Sequence, residues 1–251
     1  MIKSSYIRLF CILGLIFLSH TVSSAVHEVR EGGSIQTAVT QAQSGDVIRV
    51  FPGTYHETVY VDKDDISLIG VVEDGQWPHL DGQKILNDAI LYSGNGFSVE
   101  WFKITHYKGN AIMGQSGNNF SIRNNWVIDT GLYGIFPEFG HNGLIENNIL
   151  SGIEDAAIYV GMSDYVDVRN NQVFDNVAGI EVENSRHVLV EGNVARKQYR
   201  RYLSLYYARG SRSSRRMTPL FDATSSPTTT RRILLFRDRL SPESPQAPAF
   251  W

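Results

Sequence analysis

The sequence predicts an all-β solenoid, a parallel β-helix with 22–23-residue coils and a short N-terminal capping helix, on the strength of three recurring columns. Isoleucine returns at Ile90, Ile112, Ile135, Ile158 and Ile180. A second apolar column runs through Val99, Ile122, Ile145, Val168 and Val190, and a third is asparagine at Asn125, Asn148, Asn171 and Asn193. Self-similarity at a fixed period marks a chain whose repeats bury their inner faces only by stacking on one another. Leucine-rich repeats have a similar period. Leucine is sparse at these positions, however, and β-branched residues dominate in alternating runs such as Tyr165-Val-Asp-Val-Arg.

The first 25 residues read as a separate unit. Lys3 and Arg8 precede the apolar run Leu9 to Leu18, and Ser23, Ser24 and Ala25 follow it. A basic start, an apolar run of about ten residues and a small-residue exit describe a secretory signal, too short to span a bilayer. A buried N-terminal helix is the plainer alternative. The expectation is cleavage after Ala25 and export to the periplasm or the medium. The one cysteine, Cys11, lies in that run, which leaves the mature chain without a thiol.

The formal charge of −3 hides two opposed parts. Residues 26–195 hold 23 Asp and Glu against 9 Lys and Arg, whereas residues 196–251 hold 3 against 12. So acidic a domain repels nucleic acid and anionic membranes, and neither is expected as a partner. A polyanion would need Ca²⁺ or a local basic patch.

Ser34 is placed to cap a helix in which Ile35, Ala38, Val39 and Ala42 share one face, with Gly45 as its stop. A solenoid needs its first coil covered, and this helix is positioned to cover it. Strands are expected at Val47–Val50, Thr58–Val61 and Ile66–Val71, with Pro52-Gly53 as a turn. Leu68 to Val99 is longer than a coil, so an insertion is expected within Glu73–Asp88, which holds Trp77, His79, Asp81 and Lys84. Loops that bulge from a solenoid commonly carry binding residues, but an insertion is also simply tolerated at a surface, which is the plainer reading here.

In a parallel coil the period turns sequence positions into neighbours about 4.8 Å apart. The asparagine column, preceded by Asn124, Asn147 and Asn170, suits corners and stacked amides and reads as structural. Glu100, Arg123, Glu146, Arg169 and Glu191 alternate in sign and read as a device that fixes register. The outward positions beside the isoleucines stack as Leu91, Met113, Phe136, Tyr159, Glu181 and as Ser93, Gln115, Glu138, Gly161, Glu183. Asn118, His141, Asp164 and Arg186 form a further column. Aromatic faces beside such groups suit sugar rings, proton transfer and carboxylate recognition, and a solvated face with a few large residues is the bland alternative. His106 stacks over Asp129, and Glu154-Asp155 is a weak candidate for a hard cation.

After Asn193 the period stops. Gly210 is the only glycine in the last 56 residues, and arginine rises to 11 there. A basic disordered tail is one reading. The other is a shifted reading frame: Arg196-Lys-Gln-Tyr-Arg-Arg can be encoded so that a one-nucleotide shift gives Ala-Asn-Asn-Thr-Gly-Gly, the corner of a further coil. The expected divisions are therefore 1–25, 26–195 and 196–251.

Ser34-Ile-Gln-Thr-Ala-Val and Gly45-Asp-Val-Ile-Arg-Val-Phe-Pro-Gly-Thr-Tyr-His-Glu resemble the opening of right-handed parallel β-helix proteins of the pectin-lyase-like superfamily. The Gly/Ala-Ile and Asn-Asn coils resemble their repeat. That superfamily includes polyuronate lyases, glycoside hydrolases, alginate C5-epimerases and periplasmic proteins of the copper-maturation type. Tyr133-Gly-Ile-Phe-Pro-Glu is similar to the epimerase motif Tyr-Gly-Phe-Asp-Pro-His-Asp, with Phe136 for the first acid and Glu138 at the histidine position. The resemblance implies a uronate-containing polysaccharide as partner, bound and processed by β-elimination or C5 epimerisation. Tyr133 or His141 would carry the proton with Glu138 as partner, while Phe136, Tyr159, Asp164 and Arg186 bind substrate. Arg186 or bound Ca²⁺ would offset the substrate carboxylate. The rival is a non-catalytic β-helix that binds glycans or assists an exported partner, a metal-maturation role included. No metal ligands and no oligomeric state are assigned.

Overall fold

The computed structural model describes residues 24–196. The expected signal segment and basic tail lie, but for Ser24, Ala25 and Arg196, outside the described residues. The chain opens with β1 (Val26–Val29), α1 (Ile35–Gln41), β2 (Val47–Val50), β3 (Gly53–Tyr55) and β4 (Val59–Val61). It continues through β5 (Ser67–Gly70), β6 (Pro78–Asp81), β7 (Ile90–Tyr92), β8 (Ser98–Glu100), β9 (Lys103–Thr105) and β10 (Ile112–Gln115). Next come β11 (Ser121–Arg123), β12 (Trp126–Ile128), β13 (Ile135–Glu138), β14 (His141–Glu146), β15 (Ile149–Ser151) and β16 (Ala156–Gly161). The last are β17 (Asp164–Arg169), β18 (Gln172–Phe174), β19 (Ala178–Glu183), β20 (Leu189–Glu191) and β21 (Val194–Arg196).

From β2 onward every third strand stacks in parallel, and β1 adds to β2, which gives three sheets around one core. The first sheet is β1-β2-β5-β8-β11-β14-β17-β20, the second β3-β6-β9-β12-β15-β18-β21 and the third β4-β7-β10-β13-β16-β19. This is the predicted parallel solenoid. The isoleucine column lines the inside of the third sheet, with Ile90, Ile112, Ile135, Ile158 and Ile180 in register and all buried. The Val99–Val190 column does the same for the first. A third inner column, Tyr55, Leu80, Ile104, Val127, Leu150 and Val173, closes the core from the second sheet.

Ser34 caps α1 as its position predicts, its side chain accepting from the Thr37 amide. The helix ends at Gln41 with Ala42 extended, so Gly45 is not its stop. Both ends are instead clamped by the next coil. The Glu57 carboxylate accepts from the Ile35 and Gln36 amides at 2.7 and 3.0 Å and from Ser34 Oγ at 2.8 Å. Lys63 Nζ donates to the carbonyls of Val39, Thr40 and Ala42 at 2.9, 2.7 and 2.6 Å. An anion thus meets the positive end of the helix and a cation the negative end, which satisfies groups a seven-residue helix leaves open. With Ile35, Ala38 and Val39 buried, α1 stoppers the N-terminal end of the core.

Two expectations need correction. The insertion is divided: Val71–Trp77 lies between β5 and β6, pinched by an antiparallel bridge from Glu73 to Gln76, and a smaller excess separates β6 from β7. β6, inside the expected insertion, is an ordinary strand of the second sheet and carries His79 and Asp81. The Pro52-Gly53 turn is likewise shifted, because Gly53 already opens β3. Both misses concern the second sheet, where most strands are three residues long and give no alternation to read.

At the corner between first and second sheets the paired asparagines divide the work. Asn124, Asn147 and Asn170 take left-handed backbone angles, and Gly192 takes the same place one coil on. Their successors Asn125, Asn148, Asn171 and Asn193 are buried and form an amide ladder. Asn148 Oδ1 accepts from the Asn125 amide and from Asn125 Nδ2, at 2.9 and 3.1 Å, while Asn148 Nδ2 donates to the Ile122 carbonyl at 2.9 Å. The alternating charge column keeps its register, but only Arg123 and Glu100 approach, at 3.5 Å. Arg169 pairs with Asp167 on its own strand, a nearer carboxylate than those one coil away.

Candidate functional site

β13, β16 and β19 lie side by side in the third sheet, and strand alternation points Phe136, Tyr159 and Glu181 outward above the buried isoleucines. Tyr133 stands just before β13, its amide donating to the side chain of buried Asn110 at 3.2 Å. Its ring stacks on Tyr159 at 4.7 Å and 20°. Phe136 meets both edge-on, at 4.9 Å from Tyr133 and 5.0 Å from Tyr159. Gly161 floors this cluster. A Cβ there would come within 2.6 Å of Tyr159 Cε1 and 3.1 Å of Phe136 Cε2, so any side chain would displace the rings.

Carboxylates surround the rings. Tyr159 Oη donates to Glu183 Oε2 at 2.7 Å. Burial and that bond to Glu183 push the Tyr159 phenol well above its ordinary range. Burial, helped by the charges of Asp155, Glu181 and Glu183, raises Tyr133 as well. Both phenols are therefore proton donors at neutral pH, and neither is a ready base. Glu138 ends β13 with Gln115 and Gly161 as its cross-strand neighbours.

His141 belongs to the next sheet. It opens β14 beyond the Phe139-Gly140 corner, is exposed, and has Asp164 as its register partner. Among the described residues no hydrogen bond joins Tyr133, Glu138 and His141. Asp164 is only 7 % exposed and serves internally: it accepts from His187 Nδ1 at 2.7 Å, pairs with Arg186 at 3.2 Å and accepts from the Tyr165 amide at 3.1 Å. Burial opposes ionisation there, but the His187 bond and the Arg186 charge prevail and hold its carboxyl low. Arg186 itself keeps a side chain 75 % exposed. The structure thus unites Tyr133, Phe136 and Tyr159, and gathers Asp164 and Arg186 separately. Tyr165 and His187, stacked at 4.3 Å and 7°, join this second group and were legible as a 22-residue pair in the column beside it.

A third cluster occupies the outer face of the second sheet. Trp77, Trp101 and Trp126 meet at 5.9 and 6.3 Å, with Lys103 Nζ 5.2 Å from the Trp126 ring. Beside them His79 Nε2 lies 2.8 Å from Thr105 Oγ1, and Asp81 Oδ1 lies 2.9 Å from His106 Nδ1. The expected His106–Asp129 contact is present but longer, at 3.8 Å.

The sequence matches the family described as right-handed β-helix region over residues 77–213, more than half the chain. The chain belongs to the right-handed β-helix family. The match covers the coils that carry all three clusters and continues past the described residues. No curated protein matches this right-handed β-helix protein. Among the described residues, no group of three or more His, Cys, Asp and Glu is placed to hold a metal ion, and no helix is long and apolar enough to cross a membrane.

Proposed function

We propose that this right-handed β-helix protein binds a polysaccharide along the outer face of its third sheet. The observation that carries the reading is the three-ring cluster Tyr133–Phe136–Tyr159 over Gly161, rimmed by Glu138, Glu181 and Glu183. Aromatic faces take the apolar side of a sugar ring, and carboxylates accept from its hydroxyls. Because the rim is acidic, a uronate chain would reach it through Ca²⁺, held between the rim and the substrate carboxylates.

Calorimetry of the exported chain with neutral and uronate oligosaccharides, the latter with Ca²⁺ and with EDTA, tests this. Replacing Tyr159 by Ala removes the central ring and should weaken binding about tenfold or more. Unchanged affinity in that variant would refute the site. A second reading rests on the protonated phenol of Tyr133 on the same face as Glu138, a donor and a carboxylate of the kind that uronate elimination or C5 epimerisation uses. Unsaturated products absorbing in the ultraviolet would establish elimination, and exchange of the C5 proton with solvent would establish epimerisation. Binding with neither would leave glycan recognition as the activity of this face.

A further inference from the structure

The second sheet presents a different surface from the third. Trp77, Trp101 and Trp126 are three of the chain's four tryptophans, brought together from three successive turns of the chain. They come from distinct local structures. Trp77 ends the Val71–Trp77 excursion, Trp101 sits in a left-handed corner with 41 % of its surface exposed, and Trp126 opens β12. A bulky residue in that backbone region is uncommon. Neither Trp101 nor Trp126 belongs to the buried core, so packing alone does not account for their size.

The charge beside them also stands out. Most cations of the coils are engaged, Lys84 with Asp129, Arg123 with Glu100, Arg169 with Asp167, Arg186 with Asp164, and Lys63 with the carbonyls of α1. Among the described residues Lys103 and Lys108 are without a carboxylate, and of these two only Lys103 lies over an aromatic ring. Lys103 has no carboxylate within pairing distance among the described residues, and its ammonium faces the Trp126 ring. It stands in register between His79 and Trp126, and its charge, after burial, helps to hold the His79 imidazole neutral. In an acidic domain, an ammonium left over an aromatic face marks a place where an anionic group is favoured.

We propose that the Trp77–Trp101–Trp126 face, with Lys103, is a second glycan site that takes a carboxylate-bearing sugar, a uronic acid residue, without a metal ion. The rings hold the sugar faces, Lys103 pairs with the carboxylate, and the partly exposed His79 imidazole, held by buried Thr105 at 2.8 Å, offers a polar edge to a hydroxyl. This site stands on its own residues and does not depend on the third-sheet reading.

The experiment uses intrinsic fluorescence of the full exported chain in a Trp251→Phe background, in which every tryptophan signal comes from this cluster. EDTA is present throughout, so the Ca²⁺ route to the third sheet is closed. Titration with oligogalacturonate should shift or quench the emission saturably, whereas a neutral gluco-oligosaccharide of equal length should bind about tenfold more weakly. Lys103→Met keeps the aliphatic stem and should cost about tenfold for the uronate alone, abolishing the preference. Trp101→Ala, at an exposed corner, should weaken both sugars, and Tyr159→Ala should change neither titration. Thermal melts of each variant confirm the fold. No spectral response to oligogalacturonate, equal affinity for the two sugars, or an unchanged preference in Lys103→Met would each overturn the proposal.

Discussion

Tyr92 stacks on Phe97 at 4.6 Å deep in the core, and its buried hydroxyl has no hydrogen-bond partner among the described residues. A polar atom taken from water and left unpaired is a standing cost. Tyr92→Phe keeps the ring and removes the oxygen, so it should stabilise the protein by about 1 kcal/mol, read as a higher urea midpoint at unchanged slope. A lower midpoint would mean that the hydroxyl has a partner in solution. At this same scale the sequence was least legible. The hub role of Asp164 depends on His187 and Arg186 arriving from the next coil with the correct side-chain angles. A column of residue types shows which residues are neighbours and leaves open which of them bond. The alternating Glu/Arg column shows the same limit, since Arg169 finds Asp167 instead of its stacked partners.

Among the elements, the asparagine corner is the clearest case of two adjacent residues of one type doing different jobs. Asn148 exchanges bonds with Asn125, Ile122 and Asn171, all buried. Asn148→Ala leaves the Asn125 amide and the Ile122 carbonyl unsatisfied and should cost about 3 kcal/mol or more. Asn147 holds only a left-handed angle, which Gly192 supplies in the equivalent place, so Asn147→Gly should stay within about 1 kcal/mol. Chemical denaturation of the two variants checks this, and equal losses would refute the division. Two of the three sheets were legible because their columns are chemically uniform. The second was not: its inner column mixes Tyr55, Leu80, Ile104 and Val127 on strands too short to show alternation. The tryptophan cluster escaped because it spans two columns: Trp77 and Trp101 precede β6 and β9 at one register position, whereas Trp126 opens β12 in the column of His79 and Lys103.

For the whole molecule, stacking makes each coil depend on its neighbours alone, and a first coil without a stopper offers unpaired strand edges. α1 covers that end, held by Glu57 at one terminus and Lys63 at the other. A helix this short has little stability of its own, so its closure depends on two side chains. The clamp therefore also governs whether molecules remain separate. Replacing both Glu57 and Lys63 by Ala should uncover the first coil and let copies associate through it, with sedimentation growing heavier as concentration rises. A double variant that stays monomeric at every concentration would show that α1 holds its place without them. By this account a seven-residue helix is a guard against self-association, placed where the first coil would otherwise stand open.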